Sequence, residues 1–138
     1  MTISNAFLES WQPRALAVLR IVTGFLFIPH GTAKLFGVPH IAMFDGLQLA
    51  SLLGFAGILE AFGGTLLLVG LFTRPVAFVL SGFMAVAYFT AHASQGNALL
   101  PLLNQGELAV LYSFAFLYFV FSGAGAWSVD TWRDGRKG

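Results

Sequence analysis

Glu60 lies in the middle of an apolar run over residues 50–72, where a carboxylate is costly and so a candidate for chemistry. Burial raises a carboxyl pKa, which would let Glu60 take and release a proton. Its structural alternative is an ion pair with Arg20, the nearest opposite charge in depth. Arg20 has the matching pair of readings: a partner for Glu60, or a bidentate anchor for a carbonyl or anion. Lys34 either snorkels to the interface or joins a buried stripe. Arg20, Gly24, Phe27, Gly31 and Lys34 follow a 4-3-4-3 spacing, which puts both cations and two glycines on one helix face. Glu107 reads as the third helical residue of a capping box opened by Asn104, or as the acid of an outward-facing pocket with His92 and His30. Tyr88, one turn before His92, can donate a hydrogen bond into that pocket. Proton transfer thus falls to Glu60, Glu107 and His92, and ligand binding to Arg20, Lys34, His30 and Tyr88. Neither an i,i+4 histidine pair nor a His-x-x-Glu spacing is present, so no metal site is expected, and His40 reads as a loop residue.

The elements that must position these residues follow from composition. The chain has 138 residues, 57% of them apolar and 9% charged, with 15 Phe and 16 Gly; soluble domains have about 45–50% and about 25%. Only Arg20, Lys34, Asp45, Glu60, Arg74 and Glu107 carry charge between residues 15 and 127. That excludes a soluble globular domain, a disordered chain and a nucleic-acid binder. The expectation is a single domain over 1–138: an all-α, integral membrane four-helix transmembrane bundle, with spans near 15–36, 50–72, 75–92 and 105–122.

Local signals mark the ends of these spans. Gly37-Val-Pro39 closes the first, Gly123-Ala-Gly125 closes the last, and Pro75 sits in the first turn of the third. Asp45 and Asn104 each resemble the N-cap of a capping box, and Pro29 predicts a kink in the first span. Gly57 and Gly64 share the face of Glu60, so a neighbouring helix can approach there. Arg20 interrupts the first apolar run, which reads as a retained helix rather than a cleaved signal. Arg14, Arg74, Arg133, Arg136 and Lys137 gather on the side of the termini, as do Trp11, Trp127 and Trp132; this predicts both termini cytoplasmic. Cysteine is absent, so electrons for any redox chemistry must come from a cofactor or a partner.

The order of these pieces resembles the DoxX family of small four-helix membrane proteins. The matching stretches are Leu19-Arg20-Ile21 with Gly24, His30-Gly31, and Lys34-Leu35-Phe36-Gly37, all in the first span. They continue with Glu60, Gly63-Gly64, Gly70-Leu71-Phe72-Thr73-Arg74, Gly106-Glu107, and the run from Gly123 to Asp130. The likeness covers about residues 15–130 and departs at Ala124 and Ala126, where the family often has Pro and a polar residue. It marks Arg20, Lys34, Glu60 and Glu107 as the family's polar residues. It also implies kinship with the small subunit of a thiosulfate:quinone oxidoreductase and with complexes handling oxidative, thiol or quinone stress.

A Phe-rich, Gly-notched bundle with a few polar groups suits a flat apolar ligand such as a quinone. The expected function is a quinone-interacting subunit of a redox or oxidative-stress system in the bacterial inner membrane, acting with membrane or peripheral partner proteins. Two other classes stay open: a small proton-coupled transporter working as a homo-oligomer, and a scaffold without chemistry of its own.

Overall fold

A computed structural model describes residues 4–135. Arg136 and Lys137, two of the cations used above for orientation, lie outside the described residues. Helix α1 is Asn5–Phe36, α2 is Leu52–Val69, α3 is Thr73–Gln95, α4 is Glu107–Ser122, and a short α5 is Val129–Gly135. There is no strand among the described residues. Two stretches widen into π turns, Leu59–Gly63 inside α2 and Tyr88–His92 near the end of α3.

Helix boundaries follow local chemistry, and several differ from expectation. The first helix begins at Asn5 rather than near residue 15, because the Ser4 hydroxyl accepts the Phe7 N–H and caps it. It runs unbroken through Pro13 and Pro29 and ends at Gly37, as expected. Asp45 does not cap α2. It pairs with His40 at 2.9 Å in the connecting loop, and Ser51 takes the cap by accepting the Gly54 N–H at 3.1 Å. Asn104 is also not a helix cap: its Oδ1 accepts the Gly106 N–H inside the loop, and Glu107 is the first helical residue instead of the third.

The helices form two antiparallel pairs. In the first, α1 and α2 touch backbone to backbone. A Cβ added at Gly24 would stand 2.8 Å from the Gly64 carbonyl oxygen, and one at Gly31 would stand 2.6 Å from that of Gly57. The glycines on the Glu60 face therefore do admit a neighbour, and that neighbour is α1. In the second pair, the Ser81 hydroxyl donates to the Ser113 carbonyl at 2.8 Å and the Ser113 hydroxyl returns a bond to the Ser81 carbonyl at 3.0 Å. This clip fixes the register of α3 against α4.

Phe27, Leu67, Leu80, Phe116 and Phe119 are buried between the pairs. Phe25, Phe62, Phe78, Phe114 and Phe121 point outward and stay exposed. A bundle with large apolar residues on both its inner and outer faces has an apolar solvent around it. Helices α1, α2 and α3 are each long and apolar enough to cross a membrane. The 16 residues of α4 reach roughly 24 Å at ~1.5 Å per residue, somewhat short of a ~30 Å hydrocarbon core. The 4-3-4-3 stripe of α1 faces the bundle as its spacing predicts: Arg20, Gly24, Phe27 and Gly31 are buried and Lys34 is nearly so.

Gly31→Ala is expected to lower the thermal unfolding temperature in detergent, because forcing a methyl into a packed contact costs about 1–3 kcal/mol. Gly82→Ala, where an added Cβ meets nothing within 4 Å, should leave it unchanged. Equal melting of the two variants would contradict the close approach of α1 to α2.

Candidate functional site

Arg20 is fully buried, and it does not pair with Glu60. Its guanidinium has five N–H donors, and each meets a backbone carbonyl. Nε donates to Ala124 at 2.8 Å, Nη1 to Leu67 at 2.8 Å and to Leu68, and Nη2 to Trp127 at 2.9 Å and to Ala126 at 3.4 Å. Leu67 and Leu68 lie in the last turn of α2, where carbonyls run out of i+4 partners, and the Leu67 carbonyl accepts the Gly70 N–H at 3.1 Å as well. Ala124, Ala126 and Trp127 belong to the chain leaving α4. The planar fork thus ties α1 to two other segments and has no donor left for a ligand. This corrects both expectations for Arg20: the ion pair and the ligand anchor. Gly70 is fitted to the same clamp, since it has φ 69° and an added Cβ would stand 2.9 Å from the Arg20 Cζ.

Glu60 pairs with Lys34. The ammonium donates to Oε1 at 2.7 Å and to Oε2 at 2.5 Å, and the two side chains are only 10% and 8% exposed. Lys34 therefore turns inward and does not snorkel to the interface. The π turn Leu59–Gly63 holds Glu60; such turns insert a residue into a helix and are frequent at functional sites. Beyond α1 the loop folds back, so that the Phe44 ring lies 5.3 Å from the Lys34 ammonium. A cleft of about 250 Å³ opens on the Lys34 side of the pair, lined by Ala33, Lys34, Leu35, Ile41, Phe44 and Asp45 among others and not by Glu60. Lys34 has three N–H donors, and the carboxylate engages two of them. Phe44 had no legible signal in the sequence, because a loop aromatic is placed by the path of the loop.

The expected pocket of His92, Glu107 and His30 is not gathered by any hydrogen bond or ring contact among the described residues. Tyr88 and His92 lie stacked, with centroids 6.4 Å apart, and hold the loop before α4. The Tyr88 hydroxyl donates to the Ala98 carbonyl at 2.7 Å and accepts from Asn104 Nδ2 at 3.2 Å. His92 Nδ1 meets the Asn104 carbonyl at 3.1 Å. Asn104 is the hub that the capping-box reading missed. Glu107 is exposed at the head of α4, with no hydrogen bond or ion pair to a described residue. His30 is exposed on α1, its ring 6.2 Å from that of Tyr112. Among the described residues no group of three His, Cys, Asp or Glu side chains could hold a metal ion.

At the end of the bundle that carries the termini, charges again bind backbone. Arg74 donates to the Val120 and Phe121 carbonyls at the end of α4, each at 2.6 Å. Asp130 accepts the Phe72 N–H at 2.9 Å and the Thr73 N–H at 2.8 Å, and so caps α3 from α5. Partial burial acts to raise the Asp130 pKa, but these two amides and the nearby Arg133 outweigh it and hold the carboxyl below its usual range. No local pattern announces this cap, since its partners lie 57 and 58 residues away.

Comparison with known proteins agrees with the bundle. A family profile described as DoxX matches residues 15–93. A Haemophilus influenzae protein, described as an uncharacterized protein, is 52% identical over 126 residues, covering 89% of this chain and 93% of that one. No solved structure matches.

Two stability predictions follow from this geometry. Lys34→Met or Glu60→Leu alone strands a buried charge and should cost about 3–5 kcal/mol, whereas the double variant should unfold close to wild type. A double-mutant cycle in detergent reads the difference, and additive losses would dissolve the pair. Asp130→Ala should cost about 1 kcal/mol at pH 7. A carboxyl with a lowered folded pKa stabilises above its unfolded value of about 3.9 and loses that contribution as pH falls through its folded value. The gap between wild type and Asp130→Ala should therefore close in acid.

Proposed function

This chain belongs to the DoxX family and is a multi-pass membrane protein, and from that premise we propose that it is a quinone-interacting subunit of a redox system in the bacterial inner membrane. The observation that carries this reading is the buried Lys34–Glu60 pair beside a cleft lined by Phe44. A quinone, when bound, supplies two-electron exchange coupled to two protons between carbonyl and hydroxyl forms. Lys34 has the N–H needed to hold a carbonyl oxygen, and its partner Glu60 is the group that takes or yields the proton. The Phe44 ring lies over the ammonium at 5.3 Å. His92 and Glu107 lie at the same end as the cleft, where protons exchange with the medium. The electrons come from a partner protein, in keeping with a sequence that holds no cysteine.

In this reading both termini are cytoplasmic and α4 is the fourth crossing. Arg14, Arg74 and Arg133 stand at the terminal end, whereas the opposite end has only Lys34 among the described residues, neutralised by Glu60. Arg20, Tyr88 and Asn104 act as scaffold for the site.

Protein purified in mild detergent should carry quinone detectable by mass spectrometry of its extracted lipids. The Lys34→Met, Glu60→Leu double variant should fold and lose it. Equal quinone content in the two proteins, or none in wild type, would overturn the proposal.

A further inference from the structure

Tyr112 is a buried tyrosine whose hydroxyl has no hydrogen-bond partner among the described residues. It is 7% exposed and stands on α4, roughly 8 Å in from the helix start at ~1.5 Å per residue. Hydrocarbon offers no acceptor at that depth, and an unmade hydrogen bond there is costly. The ring is held firmly. It stacks on Phe116 with centroids 5.6 Å apart, packs against Phe27 at 5.0 Å, and meets the His30 ring edge-on at 6.2 Å. His30 is exposed on the outer side and has no hydrogen-bond partner among the described residues. The backbones of α1 and α4 barely meet, and these rings fill the seam between them. Two polar groups without partners thus flank a closed aromatic seam, in which Phe27 and Phe116 are sealed and at whose outer edge His30 is exposed. His30 also precedes Lys34 by one helical turn, a Cβ separation of about 6 Å.

We propose that this seam is the lateral binding position by which a lipid-soluble quinone reaches the Lys34–Glu60 pair from the bilayer. Its ring lies over the exposed His30 at the outer edge of the seam, and its carbonyl oxygen accepts the Tyr112 O–H. This inference rests on the quinone reading above and adds to it the route of entry and the specificity-determining residue. Tyr112 selects a flat molecule that brings an acceptor oxygen into hydrocarbon. An acyl chain alone offers none.

The test is a titration of the full chain in detergent with a decyl-substituted benzoquinone. Tyr112→Phe keeps the ring and removes only the unpartnered hydroxyl, so it should melt at or above wild type and raise the Kd about fivefold. His30→Trp, which plugs the seam from outside, should slow association. A Kd raised both by Tyr112→Phe and by the Lys34→Met, Glu60→Leu double variant supports seam and site together. A Kd raised by the double variant but unchanged by Tyr112→Phe overturns the seam and leaves the proposed function standing. A Kd raised by Tyr112→Phe alone supports the seam and overturns the role of the ion pair. No binding to wild type overturns both.

Discussion

A guanidinium sealed inside a membrane protein must find acceptors for five N–H groups, and Arg20 finds them all on backbone carbonyls. The rest of the architecture hangs on that constraint. The last carbonyls of α2 run out of i+4 partners where apolar surroundings make the loss expensive, and Arg20 meets two of them, Leu67 beside its bond from Gly70 and Leu68. The same guanidinium reaches the chain leaving α4, so one side chain joins the first helix to the last turn of the bundle. Arg74 and Asp130 extend the scheme, one closing the end of α4 and the other the start of α3. Charge at this end of the molecule serves to finish helices.

The opposite end uses charge differently. Lys34 and Glu60 neutralise one another, which lets both stay buried without backbone help. A buried pair of this kind is seldom the most stable solution, since two apolar residues of similar volume do as well or better. Its presence beside a cleft, on a π turn, and under an aromatic ring is a reason to look for chemistry there rather than for stability alone. Tyr88, His92 and Asn104 meanwhile tie down the loop that precedes α4 at the same end of the bundle.

The two hairpins also differ in how they close. Helices α1 and α2 meet through glycine with backbones in contact at Gly24, Gly31, Gly57 and Gly64. Helices α3 and α4 are held by reciprocal serine bonds. Between α1 and α4 the backbones barely meet, and buried aromatic rings fill the seam.

The sequence by itself determined the membrane environment, the helical class and the inward stripe of α1. Each is a one-dimensional property: scarcity of charge, length of apolar runs, and a 4-3-4-3 period. It also identified Arg20, Lys34 and Glu60 as the polar residues that needed partners. It could not choose the partners. Depth along the membrane is legible from a sequence, and by depth Arg20 suited Glu60. Pairing also depends on the rotation of each helix about its axis and on where turns bring distant backbone. The π turn at Leu59–Gly63 and the return of the chain after α4 settle both. The caps show the same division. Gly37 and Gly123 were readable because a helix end is a local event. Asp130 was not, because its amides lie across the fold. Tertiary structure alone decided that carbonyls would take Arg20 and leave Glu60 to Lys34.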